Sequence, residues 1–131
     1  MKKIFIVFIL MTFFSSCSDK NDDNFVVSEL VSRWKWVESS GGIDGRTDTP
    51  ESTGKEIVLI FSLNTYQQYV NDKLEIEMTY HLEEAESIIF GDKRLMIVYE
   101  NGRKQSFDRC DGKLILYDEC IDCFTSTYVR F

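Results

Sequence analysis

The chain predicts an all-β antiparallel domain, a sandwich or an up-and-down barrel of eight or nine short strands with a short N-terminal helix. Three observations lead there. From Lys73 to Leu82 apolar and polar residues alternate, with Leu74, Ile76, Met78, Tyr80 and Leu82 on one face and Glu75, Glu77, Thr79 and His81 on the other. That period of two suits a strand with one buried and one wet face. Asn101-Gly102 and Asp111-Gly112 are the strongest hairpin dipeptides of the chain, because both positions of such a turn need positive φ. Strand follows strand with no helical stretch for a crossover between them, so turns must join neighbours.

Composition sets the outer bounds. The 131 residues carry 22 acidic and 15 basic side chains, a net charge of −7, and suffice for one domain. A hydrophobic share of 44% with 28% charged residues excludes wholesale disorder. One Pro and seven Gly exclude collagen-like chains. The acidic balance leaves no cluster of Lys and Arg for a phosphate backbone, so nucleic acid is not an expected partner.

Residues 1–16 are set apart from the fold. Lys2 and Lys3 make a positive start and Ile4 to Phe14 an apolar run broken only by Thr12. It falls short of the roughly 20 apolar residues of a spanning helix and reads as an export signal. The run ends in Phe14-Ser15-Ser16-Cys17, which resembles the lipobox of bacterial lipoproteins, with Phe14 where Leu is usual. The resemblance implies cleavage before Cys17, two acyl chains on its sulfur, membrane lipid as a partner, and a location in the cell envelope, at the outer membrane or cell surface. Two chains on one residue give stable attachment, at about 0.8 kcal/mol per buried CH₂. Cleavage would leave 115 residues at a net −9.

Residues 17–25 then read as the acylated Cys and a flexible acidic tether, since Ser18 to Asn24 holds no apolar residue. Its acidity resembles the surface-export signals of some Gram-negative lipoproteins. A calcium loop fits poorly. Asp19, Asn21 and Asp23 are spaced for one, but Asn24 stands where Gly is required and Leu30 where Glu closes the loop.

The folded domain is expected over residues 26–131. Val27, Leu30 and Val31, with Ser28 as N-cap, predict one or two helical turns within 25–33. Trp34-Lys35-Trp36-Val37 starts the first strand, and Ser39 to Lys55, rich in Gly, Ser, Thr and Asp, is a long loop. Glu56 to Ser62 and Thr65 to Val70 are strands, the former around the apolar run Ile57 to Phe61. At Asn71-Asp72 a two-residue turn would put Tyr69 beside Leu74. A three-residue loop would put Tyr66 and Val70 with Leu74, Ile76 and Met78, and it is favoured because it buries more. Glu83 to Glu86 reads as an acidic turn, followed by apolar strands at Ser87 to Phe90 and Leu95 to Tyr99. A two-residue loop at Asn101-Gly102 sets Glu100 opposite Arg103, and one at Asp111-Gly112 sets Phe107 opposite Leu116. Thr125 to Phe131 closes the chain.

Leu30 to Ser40 resembles the opening of lipocalin-like, calycin-type domains of secreted bacterial lipoproteins, in which a short helix runs into Gly-x-Trp on the first barrel strand. Trp34 matches and Ser32 stands at the Gly place. The segments 49–54 and 119–124 also look like this family. The resemblance implies the up-and-down barrel, and a barrel end closed by Arg130 of the last strand over Trp34. Such a stack adds cation–π attraction of about 0.5–2 kcal/mol. It further implies a small apolar ligand inside, with Phe61, Tyr66, Leu74, Ile76, Met78 and Tyr80 as candidate wall residues.

Catalytic and metal chemistry finds no motif. His81, the one His, lies on a polar face, no Gly-x-Ser-x-Gly elbow or His-Glu-x-x-His occurs, and Glu83, Glu84 and Glu86 read as a solvated turn. No enzyme, cofactor or metal is expected, and the chain is expected to be a monomer. Of Cys110, Cys120 and Cys123, export favours a structural disulfide; which pair forms stays open, and one of the three is expected to stay free or buried. Two functions compete: a carrier of a small apolar ligand, and a filled barrel acting as a scaffold whose 39–55 loop and acidic edges meet another envelope protein or a glycan.

Overall fold

The computed structural model describes residues 23–131, with side chains from Val27 onward; the expected export signal, Cys17 and the expected tether as far as Asp22 lie outside the described residues. In chain order the elements are α1 Asp23–Leu30, β1 Ser32–Gly41, β2 Arg46–Asp48, α2 Pro50–Thr53, β3 Ile57–Phe61, β4 Thr65–Val70, β5 Lys73–Glu86, β6 Lys93–Tyr99, β7 Lys104–Cys110, β8 Lys113–Asp118 and β9 Phe124–Arg130. From β3 on, each strand pairs antiparallel with the next, and β1 pairs with both β3 and β9. That closes β1 and β3–β9 into an eight-stranded up-and-down barrel. β2 is an extra strand hung on β1 through Ser39 to Gly41. Closure removes free sheet edges from the barrel wall.

The helix begins at Asp23, so Ser28 lies inside it and is not its N-cap. The expected 39–55 loop is also corrected. β1 runs on to Gly41, a glycine turn leads into β2, and α2 follows. Thr49 and Ser52 form a reciprocal capping box, with Ser52 N donating to Thr49 Oγ1 at 3.1 Å and Thr49 N to Ser52 Oγ at 2.8 Å. Pro50 opens the helix and Gly54 ends it at φ 68°, so four residues are capped at both ends.

Two hairpins depart from expectation. Asn71 and Asp72, at φ 50° and 65°, make a two-residue turn that pairs Tyr69 with Leu74, and the three-residue loop is not formed. The register then skips Glu75, pairing Gln68 with Ile76 and Tyr66 with Met78. This bulge returns Tyr66 to the face of Ile76 and Met78 but leaves Leu74 on the other. After Tyr99, Gly102 at φ 86° closes a three-residue loop, and Tyr99 N donates to Arg103 O at 2.9 Å. Arg103 therefore stands opposite Tyr99, not Glu100. The Asp111-Gly112 turn forms as expected, with Cys110 opposite Lys113 and Phe107 opposite Leu116.

The acidic stretch 83–86 is strand, not turn. It pairs in register with β6, Glu83 opposite Met96, Glu84 opposite Leu95 and Glu86 opposite Lys93, so ladder pairing and one cross-strand opposite-charge pair hold it extended. The turn falls on Ser87 to Asp92, where a strand was expected. Its Phe90 ring stands edge-on to Tyr117 at 5.0 Å and carries the Arg94 guanidinium at 3.6 Å. β6 is buried on both faces: Ile97 and Tyr99 join the core, and Met96 and Val98, on the alternate face, are 1% and 7% exposed.

Candidate functional site

One barrel end is shut. Leu30 at the end of α1 is fully buried, and the Trp34 indole, 1% exposed, donates from Nε1 to Leu30 O at 2.9 Å. Trp34 pairs across the sheet with Arg130, whose guanidinium carbon lies 5.0 Å from the indole and whose Nη2 donates to Glu29 O at 2.8 Å. Arg109 adds a salt bridge to the Glu29 carboxylate. Both residues expected at the barrel closure thus meet, together with α1.

The interior holds most of the candidate wall residues, but as mutual contacts. Phe61 lies 5.1 Å from Tyr66 and 5.3 Å from Tyr80 between ring centroids, and Tyr66 lies 5.0 Å from Tyr99. Ile76 and Met78 are half-buried and pack on this cluster. Leu74 does not belong to it. The bulge turns it out, and it is 44% exposed.

The hydroxyls of these rings are spoken for. Tyr66 donates to Gln68 Oε1 at 2.8 Å, Tyr80 to Ser62 O, and Tyr99 to Gln105 Oε1 at 2.5 Å. Gln105 Nε2 and Arg103 Nη2 both donate to Asp118 Oδ1, at 2.7 and 2.9 Å. Burial pushes the Tyr80 and Tyr128 hydroxyls up to about 12 and raises Tyr66 and Tyr99 as well. Tyr66, Tyr80 and Tyr99 remain neutral donors, each held by its own partner, which rigidifies the core. The Arg103–Asp118–Gln105–Tyr99 chain escaped the sequence reading. Its register follows from the three-residue loop, whereas Asn101-Gly102 suggested two. His81, with 65% of its side chain exposed, lies 3.3 Å from Glu83 on the wet face.

The opposite rim is built from loops. Cys120 and Cys123 form a disulfide with Cα atoms 5.6 Å apart, one of the expected pairings. Cys110 is not a free thiol, so the expected free or buried cysteine falls on no described residue. Cys123 O accepts from Gly42 N at 3.4 Å, joining this loop to the β1–β2 turn. Between them opens a shallow concavity of about 450 Å³ lined by Gly42, Ile43, Asp44, Arg46, Asp122 and Phe124.

Glu119 ties the disulfide loop to the β5–β6 turn, accepting from Ser87 Oγ and Ile88 N, each at 2.8 Å. Partial burial by itself would raise this carboxyl. Hydrogen bonds from Ser87 and the backbone at Ile88 and Ile89 outweigh it and hold the group below its ordinary 4.5. A lowered folded value means the charged form is favoured by folding. The stabilisation is therefore complete above pH about 4.5 and fades as acid protonates the folded carboxylate. In urea titrations the wild-type midpoint should fall faster below pH about 4.5 than that of Glu119→Gln. Parallel pH profiles would contradict the latch.

No family model, curated protein or solved structure matches this chain.

Proposed function

We propose that the chain is a lipid-anchored, lipocalin-like protein of a bacterial envelope, whose barrel is a filled, rigid scaffold and whose rim loops contact another envelope component. The observation that carries this reading is the interior: Phe61, Tyr66, Tyr80 and Tyr99 stand within 5.0–5.3 Å of one another in successive pairs. Rings at such spacing are in packing contact, where a carrier would keep open space. An eight-stranded barrel is just wide enough for side chains to fill it. The Trp34–Arg130 stack supports the lipocalin-like relationship, and Phe14-Ser15-Ser16-Cys17 supports the anchor. The reading is non-enzymatic; the Tyr66, Tyr80 and Tyr99 hydroxyls are each taken up by a partner, and His81 is solvated. Loops on a rigid frame are where binding residues gather.

Two measurements test it. An anilinonaphthalene sulfonate dye titrated into the unacylated Cys17→Ala chain should show no saturable fluorescence rise; a rise displaced by a fatty acid would restore the carrier reading. Metabolic labelling with an acyl precursor should mark the wild type and not Cys17→Ala. A soluble, unlabelled wild type would remove the anchor.

A further inference from the structure

We infer that the rim concavity between the β1–β2 turn and the Cys120–Cys123 loop binds a neutral oligosaccharide. The inference rests on the reading above that the rim is the working surface. Its volume of about 450 Å³ lies in the range of small-ligand sites, roughly 300–1,000 Å³, and its openness suits a chain laid across it over an enclosed molecule. The lining pairs an aromatic ring, Phe124, with two carboxylates, Asp44 and Asp122, and a guanidinium, Arg46. A sugar presents that same division: a face of C–H groups that packs on an electron-rich ring, and edge hydroxyls that donate to carboxylates. The two carboxylates on a chain of net charge −7 disfavour anionic sugars and phosphates.

The loop geometry holds these groups in place. Asp122 sits between the disulfide cysteines in the left-handed region at φ 57°. Arg46 is anchored by Asp48 at 3.3 Å and leans on Phe124, 5.6 Å from the ring centroid. Gly42 takes φ 77°, a backbone region that favours glycine. Its Cα side lies in ordinary contact range of Asp44 and Phe124, so this backbone forms the floor between them. Ile43 beside it is 95% exposed and adds apolar surface at the edge.

The test uses the full acylated chain in a sugar-free zwitterionic detergent, with cellotetraose, maltotetraose and chitotetraose as probes. Saturation-transfer NMR should show transfer from the protein to ring C–H protons of at least one of the three. Phe124→Leu should weaken that binding about ten-fold or more, and Asp122→Asn and Asp44→Asn, both exposed changes, about ten-fold each, as loss of a charge-assisted hydrogen bond implies. No transfer to any probe from the folded wild type, or binding indifferent to Asp122→Asn and Asp44→Asn, overturns the inference. A protein partner captured at the rim with all three sugars silent overturns it too. A negative dye titration with silent sugars removes only the sugar ligand, while a dye-filled interior removes the scaffold reading itself.

Discussion

Trp34→Ala should destabilise the protein by about 3–5 kcal/mol, the range for truncating a large buried ring. The indole is 1% exposed, anchors the Leu30 carbonyl and lies under Arg130. Its removal leaves a void at the closed end, takes away the partner of a buried carbonyl and unseats α1. Trp34→Phe keeps most of the apolar area but loses the N–H, so it should cost less, about 1–3 kcal/mol. Urea unfolding followed by circular dichroism measures both. A cost under about 1 kcal/mol for the alanine variant would mean that the ring does not close the barrel.

Phe61→Ala is expected to cost a comparable 3–5 kcal/mol or so, and to change what the interior can hold. Phe61 is 1% exposed and touches both Tyr66 and Tyr80. The tyrosines are tied to Gln68 and Ser62 by their hydroxyls, which limits collapse into the void. Apolar voids of this kind accept small apolar molecules. The variant should therefore gain the dye binding that the wild type lacks, at reduced stability. Equal dye binding by wild type and variant would show that an open interior existed from the start.

How far the sequence was legible follows from where the physics is local. Ile76 to Leu82 and Asp111-Gly112 read correctly because alternation and a two-residue left-handed turn are properties of adjacent residues. Trp34 and Arg130 were placed by resemblance, and the sheet brings them into one pair. Leu74 was misplaced because the bulge at Glu75 changes strand parity, and no residue type announces it. Glu83 to Glu86 departs from its reading because a run of acids looks like a solvated turn until β6 pairs along it, with Lys93 opposite Glu86. The capping box at Thr49 to Ser52 was visible in the letters but lay in a stretch read as loop. At the rim, the sequence predicts a disulfide among Cys110, Cys120 and Cys123 without fixing the pair. That Gly42, Asp44, Arg46 and Phe124 gather around it depends on the closure of β1 onto β9, a contact between the two ends of the domain that no local pattern encodes.

Native mass spectrometry of the protein, purified from its own envelope without apolar additives, tests the filled barrel most directly. The account predicts a single species at the mass of the acylated chain. A second, lipid-like mass that remains bound to the wild type and is lost in Met78→Trp would contradict it and make the barrel a carrier.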